Sequence, residues 1–134
     1  MTYTVDSVFD FVAKAVNAVD AGARVSSRRE PVAKTLPAVY MYEMNRVRVQ
    51  RFATLANDDD QWESTFEVEV YTNNLDGARA KGYQILYAIE DAFKRLGYFE
   101  TFCEPIDNID PSLFRVNARF TRQIGKGDEI PESN

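Results

Sequence analysis

Histidine does not occur in this 134-residue chain, and cysteine occurs once. Without histidine there is no Ser-His or Cys-His nucleophile pair, no imidazole metal ligand and no side chain that titrates unaided near neutrality. The single cysteine, Cys103, cannot close an internal disulfide, which suits a reducing compartment. No apolar run approaches the roughly 20 residues needed to cross a bilayer. The opening residues, Met1 to Asp6, carry neither the basic region nor the apolar stretch of a signal peptide. No internal repeat or low-complexity block is present. These absences lead us to expect a soluble protein made in a cytoplasm, with no membrane partner.

What is present is ordinary for a globular domain: 45% hydrophobic and 28% charged residues. The length fits a single domain. A net charge of −5 argues against nucleic acid as the main partner, because affinity for phosphates comes mostly from clustered Lys and Arg. Arginine nevertheless outnumbers lysine 11 to 5. Either a demand for planar, bidentate contacts at an interface or a compositional bias accounts for that ratio.

Two segments have helical periodicity. From Thr4 to about Ala21, Val5, Val8, Val12, Ala15, Val16 and Val19 recur at steps of three and four, with Phe9 and Phe11 widening the apolar face. Thr4 suits the N-cap, Asp6 the positive end of the dipole, and Gly22 a left-handed stop. From Leu75 to about Leu96, Leu75, Ala78, Gly82, Leu86, Ile89, Phe93 and Leu96 form a second stripe. Asn73-Asn74 precedes it as a cap, Lys94 and Arg95 occupy its last turn, and Gly97 ends it. Ala78 and Gly82 would let this helix approach a sheet closely.

Period-two alternation marks the strands. Ala38 to Leu55 reads as two strands or one bent strand, with a turn or bulge near Asn45. Trp62 to Tyr71 sends Phe66, Val68 and Val70 one way and Glu67 and Glu69 the other. Further strands run from Tyr98 to Ile106 and from Leu113 to Ile124, the latter with Phe114, Val116, Ala118 and Phe120 inward. Turns are expected at Asp58-Asp59-Asp60 and around Asp107–Pro111. Residues 23–37 read as a mobile basic arm, with Arg24, Arg28, Arg29 and Lys34 against Glu30, broken by Pro31 and Pro37. A short strand at Arg24–Ser27 is its one ordered piece. Residues 125–134 read as a disordered acidic tail. The expected architecture is a single α+β domain over residues 1–124. It is a two-layer sandwich: a mostly antiparallel sheet of four to five strands with two helices on one face. Its core should set Val12, Val16, Leu86, Ile89 and Phe93 against Phe66, Val68, Val116 and Phe120.

No pattern of catalytic, metal-binding or cofactor-binding residues emerges, so no enzyme activity and no small-molecule substrate is expected. Glu67 and Glu69 share a strand face, but a solvated face balanced by arginines explains them better than acid–base chemistry. A calcium loop starting at Asp58 fails, since it wants an oxygen ligand fifth and glycine sixth, where Trp62 and Glu63 stand. Gly125-Lys126-Gly127 lacks the spacing and following helix of a phosphate loop. Cys103 has no basic neighbour in sequence to lower its pKa, and a buried, inert thiol is expected. The most informative constellation is charged. Arg46 and Arg48, Glu67 and Glu69, and Arg115 and Arg119 come from three strands, each pair two residues apart. If those strands are neighbours, the pairs form a ladder on the face away from the helices. That ladder is either a docking surface between subunits or an ordinary solvated face.

The chain from about Thr4 to Ile124 resembles the tail terminator proteins of long-tailed phages and prophages, the family of the lambda tail terminator, also called minor capsid or tail completion proteins. The resemblance lies in four patterns. They are the strand Pro37-Ala38-Val39-Tyr40-Met41-Tyr42 after an arm, the acidic alternating strand Trp62 to Tyr71, the helix ending Leu96-Gly97-Tyr98-Phe99, and the arginine-rich strand Arg115 to Phe120. It implies a virion protein without catalytic residues or cofactors, whose partners are further copies of itself, the tail tube protein and the head–tail connector proteins. Such a protein forms a ring, typically hexameric, that caps the tube, ends its polymerisation and joins it to the head. Arg28, Arg29, Arg46, Arg48, Glu67, Glu69, Arg115 and Arg119 are the interface residues that charge and alternation suggest. A head-side connector or a small cytosolic adaptor domain are the alternative readings. No sequence-specific nucleic acid is expected as a partner.

Overall fold

In the computed structural model, which describes residues 3–27, 36–48, 61–73, 78–106, 113–125 and 127–130, the first periodic segment forms helix α1, Val5–Val19. Thr4 caps it from an extended conformation. Its hydroxyl accepts the Ser7 amide at 3.0 Å, and the Ser7 hydroxyl accepts the Thr4 amide at 2.9 Å, so two orphan donors are satisfied reciprocally. The buried face is Val8, Phe11, Val12 and Val16, while Val5 and Val19 overhang the core at 42% and 36% exposure. The helix does not end on a left-handed Gly22, since the positive-φ glycines among the described residues are Gly97 and Gly127. Instead Asp20 is an extended C-cap, and its carboxylate accepts the Gly22 amide at 2.9 Å. The Asp20 side chain does locally what a left-handed glycine would have done.

The short strand β1 (Arg24–Ser26) follows, then β2 (Ala38–Arg48), β3 (Gln61–Asn73), helix α2 (Ala78–Arg95), β4 (Phe99–Pro105) and β5 (Leu113–Gly125). They form one five-stranded sheet in the order β1-β2-β3-β5-β4. β1 runs parallel to β2, and every other pair is antiparallel. This is the expected α+β architecture, with a mixed rather than wholly antiparallel sheet. Asn73 ends β3 and is not a helix cap. Asn74 and the Asp58-Asp59-Asp60 and Asp107–Pro111 turns lie wholly or mainly outside the described residues, as does the arm from Arg28 to Thr35.

Both helices cover one face of the sheet. Val12, Val16, Leu86, Ile89 and Phe93 meet Phe66, Val68, Val116 and Phe120, all at 2% exposure or less. Phe93 stacks on Phe120 with ring centroids 4.4 Å apart. Gly82 is needed where it stands, because a Cβ there would lie 2.8 Å from the Phe114 ring. At the end of α2, the Gly97 amide bonds Lys94 O and the Tyr98 amide bonds Phe93 O, while the Phe93 and Tyr98 rings pack 5.1 Å apart. These bonds and this apolar contact make up a Schellman stop, with Gly97 at φ +85.

Residues 127–130 are more ordered than expected. Asp128 accepts the Gly125 amide at 2.8 Å and pairs with Arg122 at 3.2 Å, and Ile130 packs against the core. Those contacts hold a segment whose composition alone reads as tail. No described helix is long and apolar enough to cross a membrane.

Candidate functional site

The register of the sheet decides which charged residues meet. β3 lies between β2 and β5, and Glu67 stands directly opposite Tyr42 on one side and Arg119 on the other. Its carboxylate accepts the Tyr42 hydroxyl at 2.7 Å and lies 3.8 Å from the Arg119 guanidinium. Arg119 also lies over the Phe102 ring, 5.0 Å from its centroid. One strand step away, Glu69 is fully buried. It accepts the Tyr71 hydroxyl at 2.8 Å and Arg115 at 3.0 Å. Arg115 in turn bonds Asn117 at 3.0 Å and lies 5.4 Å from the Tyr71 centroid. Ala38, Tyr40 and Tyr71 form a small second core beside this network, with Leu36 packed against it.

Half of the anticipated ladder therefore exists, as Glu67–Arg119 and Glu69–Arg115. Arg46 and Arg48 are not in it. A bulge between Glu43 and Asn45 inserts one residue in β2, so Arg46 pairs with Ser64 and Arg48 with Trp62. These belong to the same sheet face as Phe66, the helix side, because one extra residue reverses every side chain beyond it. Arg46 instead closes on Glu43 at 2.8 Å, and the Ser64 hydroxyl donates to the same carboxylate. Arg28 and Arg29 lie outside the described residues.

The other edge of the sheet holds a cluster that sequence patterns did not reveal. Glu90 on α2 and Glu100 and Cys103 on β4 bring their ligand atoms within 4.8 Å of one another. A cavity of about 300 Å³ beside them is lined by Glu90, Lys94, Tyr98, Phe99, Glu100 and Phe120. Burial, together with a hydrogen bond and charge repulsion from Glu90, pushes the Glu100 carboxyl up to about 7. Cys103 is exposed rather than buried. Desolvation of its thiol and the charges of Glu100, Glu90 and Glu104 push it up to about 11, so it is an inert thiol for an electrostatic reason. A thiol held protonated is a poor third ligand for a metal. The signal for this cluster was the Gly97 stop, which turns β4 back along α2 and brings acids from either side of it together.

No family model and no curated protein matches the chain. Among solved structures, it is similar to a chain of the virion of a native gene transfer agent particle. The TM-score is 0.66 at 12% sequence identity, covering 93% of this chain and 100% of that one. At that identity the likeness is one of fold.

Proposed function

We propose that the protein is a structural component of a phage-like virion, and that it caps the tail tube as a ring of identical subunits at the joint to the head. The observation that carries the virion role is the likeness of fold over nearly the whole of both chains to a component of a gene transfer agent virion. The finer assignment, to the tail terminator, rests on the resemblance of the strand and helix patterns described above. The site geometry is compatible with a structural role: the charges of the polar face are spent on one another, in Glu69–Arg115 and Glu67–Arg119. A ring of head-to-tail subunits needs two unlike patches on each copy. The ring's partners in this reading are the tube protein and the connector proteins, and its place is the head–tail junction of the particle. Gold-labelled protein added to purified, uncapped tail tubes tests it by electron microscopy. Label at one end of each tube is expected, whereas label along the tube wall, on heads only, or nowhere contradicts the assignment.

A further inference from the structure

Arg122 on β5 stands opposite Ser64, on the same sheet face as Phe120. Its guanidinium meets three segments that lie far apart in sequence. The first is residue 3. The guanidinium carbon lies 3.9 Å from the centroid of the Tyr3 ring, and the Tyr3 hydroxyl donates to Leu96 O at 2.8 Å. The second is the stop of α2, where a Cβ on Gly97 would come within 3.1 Å of Arg122 Nε. The third is the turn after β5. There Asp128 pairs with Arg122 Nη2 at 3.2 Å and accepts the Gly125 amide at 2.8 Å, while its own amide donates to Gly125 O at 3.1 Å.

These neighbours hold Arg122 only when taken together. Its side chain is 20% exposed, and its Nη1 is buried without a hydrogen-bond partner among the described residues. Burying that nitrogen costs free energy, which the Asp128 carboxylate and the Tyr3 ring offset. With either of them gone, the long arginine stem would carry its charge out to water, and the remaining contact would go with it. Tyr3 and Asp128 share no hydrogen bond among the described residues, so Arg122 is what joins them. Both also sit at the margin of the core. Tyr3 keeps 7% exposure and Ile130 is half-buried, whereas Phe66, Phe93 and Phe120 are at 2% or less. Marginal segments of this kind open at a lower cost than global unfolding.

We propose that Arg122 ties Tyr3 and residues 127–130 to the end of α2 as one strap, which opens and closes as a unit while the sheet and helices stay folded. Opening it bares Arg122 at the corner where β4 leaves α2, a surface that the closed form hides. An order–disorder step confined to one segment is a common way for a subunit to change its surface. The coupling does not depend on the capping role proposed above.

Hydrogen exchange followed by NMR on the full chain tests this. Tyr3→Leu should speed exchange at the Gly125 and Asp128 amides about threefold or more, as loss of one cation–ring contact would. The Val68 and Val116 amides of the central strands should keep their wild-type rates. In the other direction, Asp128→Asn should move the Tyr3 ring resonances towards those of free tyrosine. Arg122→Met removes the link, so adding Tyr3→Leu to it should leave the Gly125 and Asp128 rates where Arg122→Met alone puts them. Equal acceleration by Tyr3→Leu with and without Arg122, unchanged Gly125 exchange in Tyr3→Leu, or acceleration of Val68 and Val116 by the same factor would overturn the proposal. Should Arg122→Met fail to fold, the reciprocal effects of Tyr3→Leu and Asp128→Asn decide it, and absence of either one contradicts the strap.

Discussion

A carboxylate at 1% side-chain exposure survives in a fold only when hydrogen bonds and an opposite charge replace the water it has lost. Tyr71 and Arg115 do this for Glu69. Arg115→Met should therefore cost about 3–5 kcal/mol, because it strands a buried charge. Arg119→Met should cost under about 1 kcal/mol, because that pair is longer and Arg119 is 41% exposed. Urea melts of the two variants check the contrast, and equal losses would contradict the network described. Glu67 and Glu69 were legible in sequence as neighbours on one face, and so were Arg115 and Arg119. Their difference in burial was not, since alternation fixes a face but not what covers it.

At the scale of elements, the two helices and the acidic central strand were readable because each repeats its period over several turns or steps. The bulge in β2 was suspected at Asn45, and its consequence was not drawn: one unpaired residue, Met44, carries Arg46 and Arg48 to the helix side. The stop of α2 was plain from Gly97, whereas that of α1 was misread, since Asp20 supplies its cap through a side-chain bond with no glycine signature. Two substitutions test these assignments. Phe93→Ala should cost about 3–5 kcal/mol through the cavity left between Phe66 and Phe120. Gly97→Ala should cost about 1 kcal/mol or more, since φ is +85 and a Cβ would lie 3.1 Å from Arg122. Denaturation midpoints unchanged in both would refute the packing and the cap.

The Glu90–Glu100 pair makes its own prediction for the β4 edge. In the unfolded chain the Glu100 carboxyl ionises near its ordinary value of 4.5, and in the folded protein near 7. Between those values the folded state holds the proton more tightly. Stability of the isolated subunit should therefore fall as pH rises from about 4.5 to about 7, and the loss is complete above that. Glu100→Gln should flatten this slope, making the variant the more stable of the two at pH 8. A wild-type melting temperature that rises across the window by the same amount in both proteins would contradict the pairing. No spacing rule joins residues 90, 100 and 103, so the Gly97 stop could place α2 and β4 side by side but could not single out this pair.

For the whole molecule, composition and period led to a two-layer α+β domain, and the structure has that form. Function was less legible, because a structural role of the kind proposed above would leave no catalytic signature in the chain. What the chain does show is an unequal treatment of charge. The opposite charges on the open face cancel within the subunit, as do Arg46 and Glu43 on β2, while Glu90 and Glu100 stand together beside β4 with no ion pair among the described residues. Deleting the gene from the particle that encodes it, and imaging the tails, tests this account most directly. Tails of uncontrolled length that never join heads are the predicted result, and tails of normal length on intact particles would contradict it.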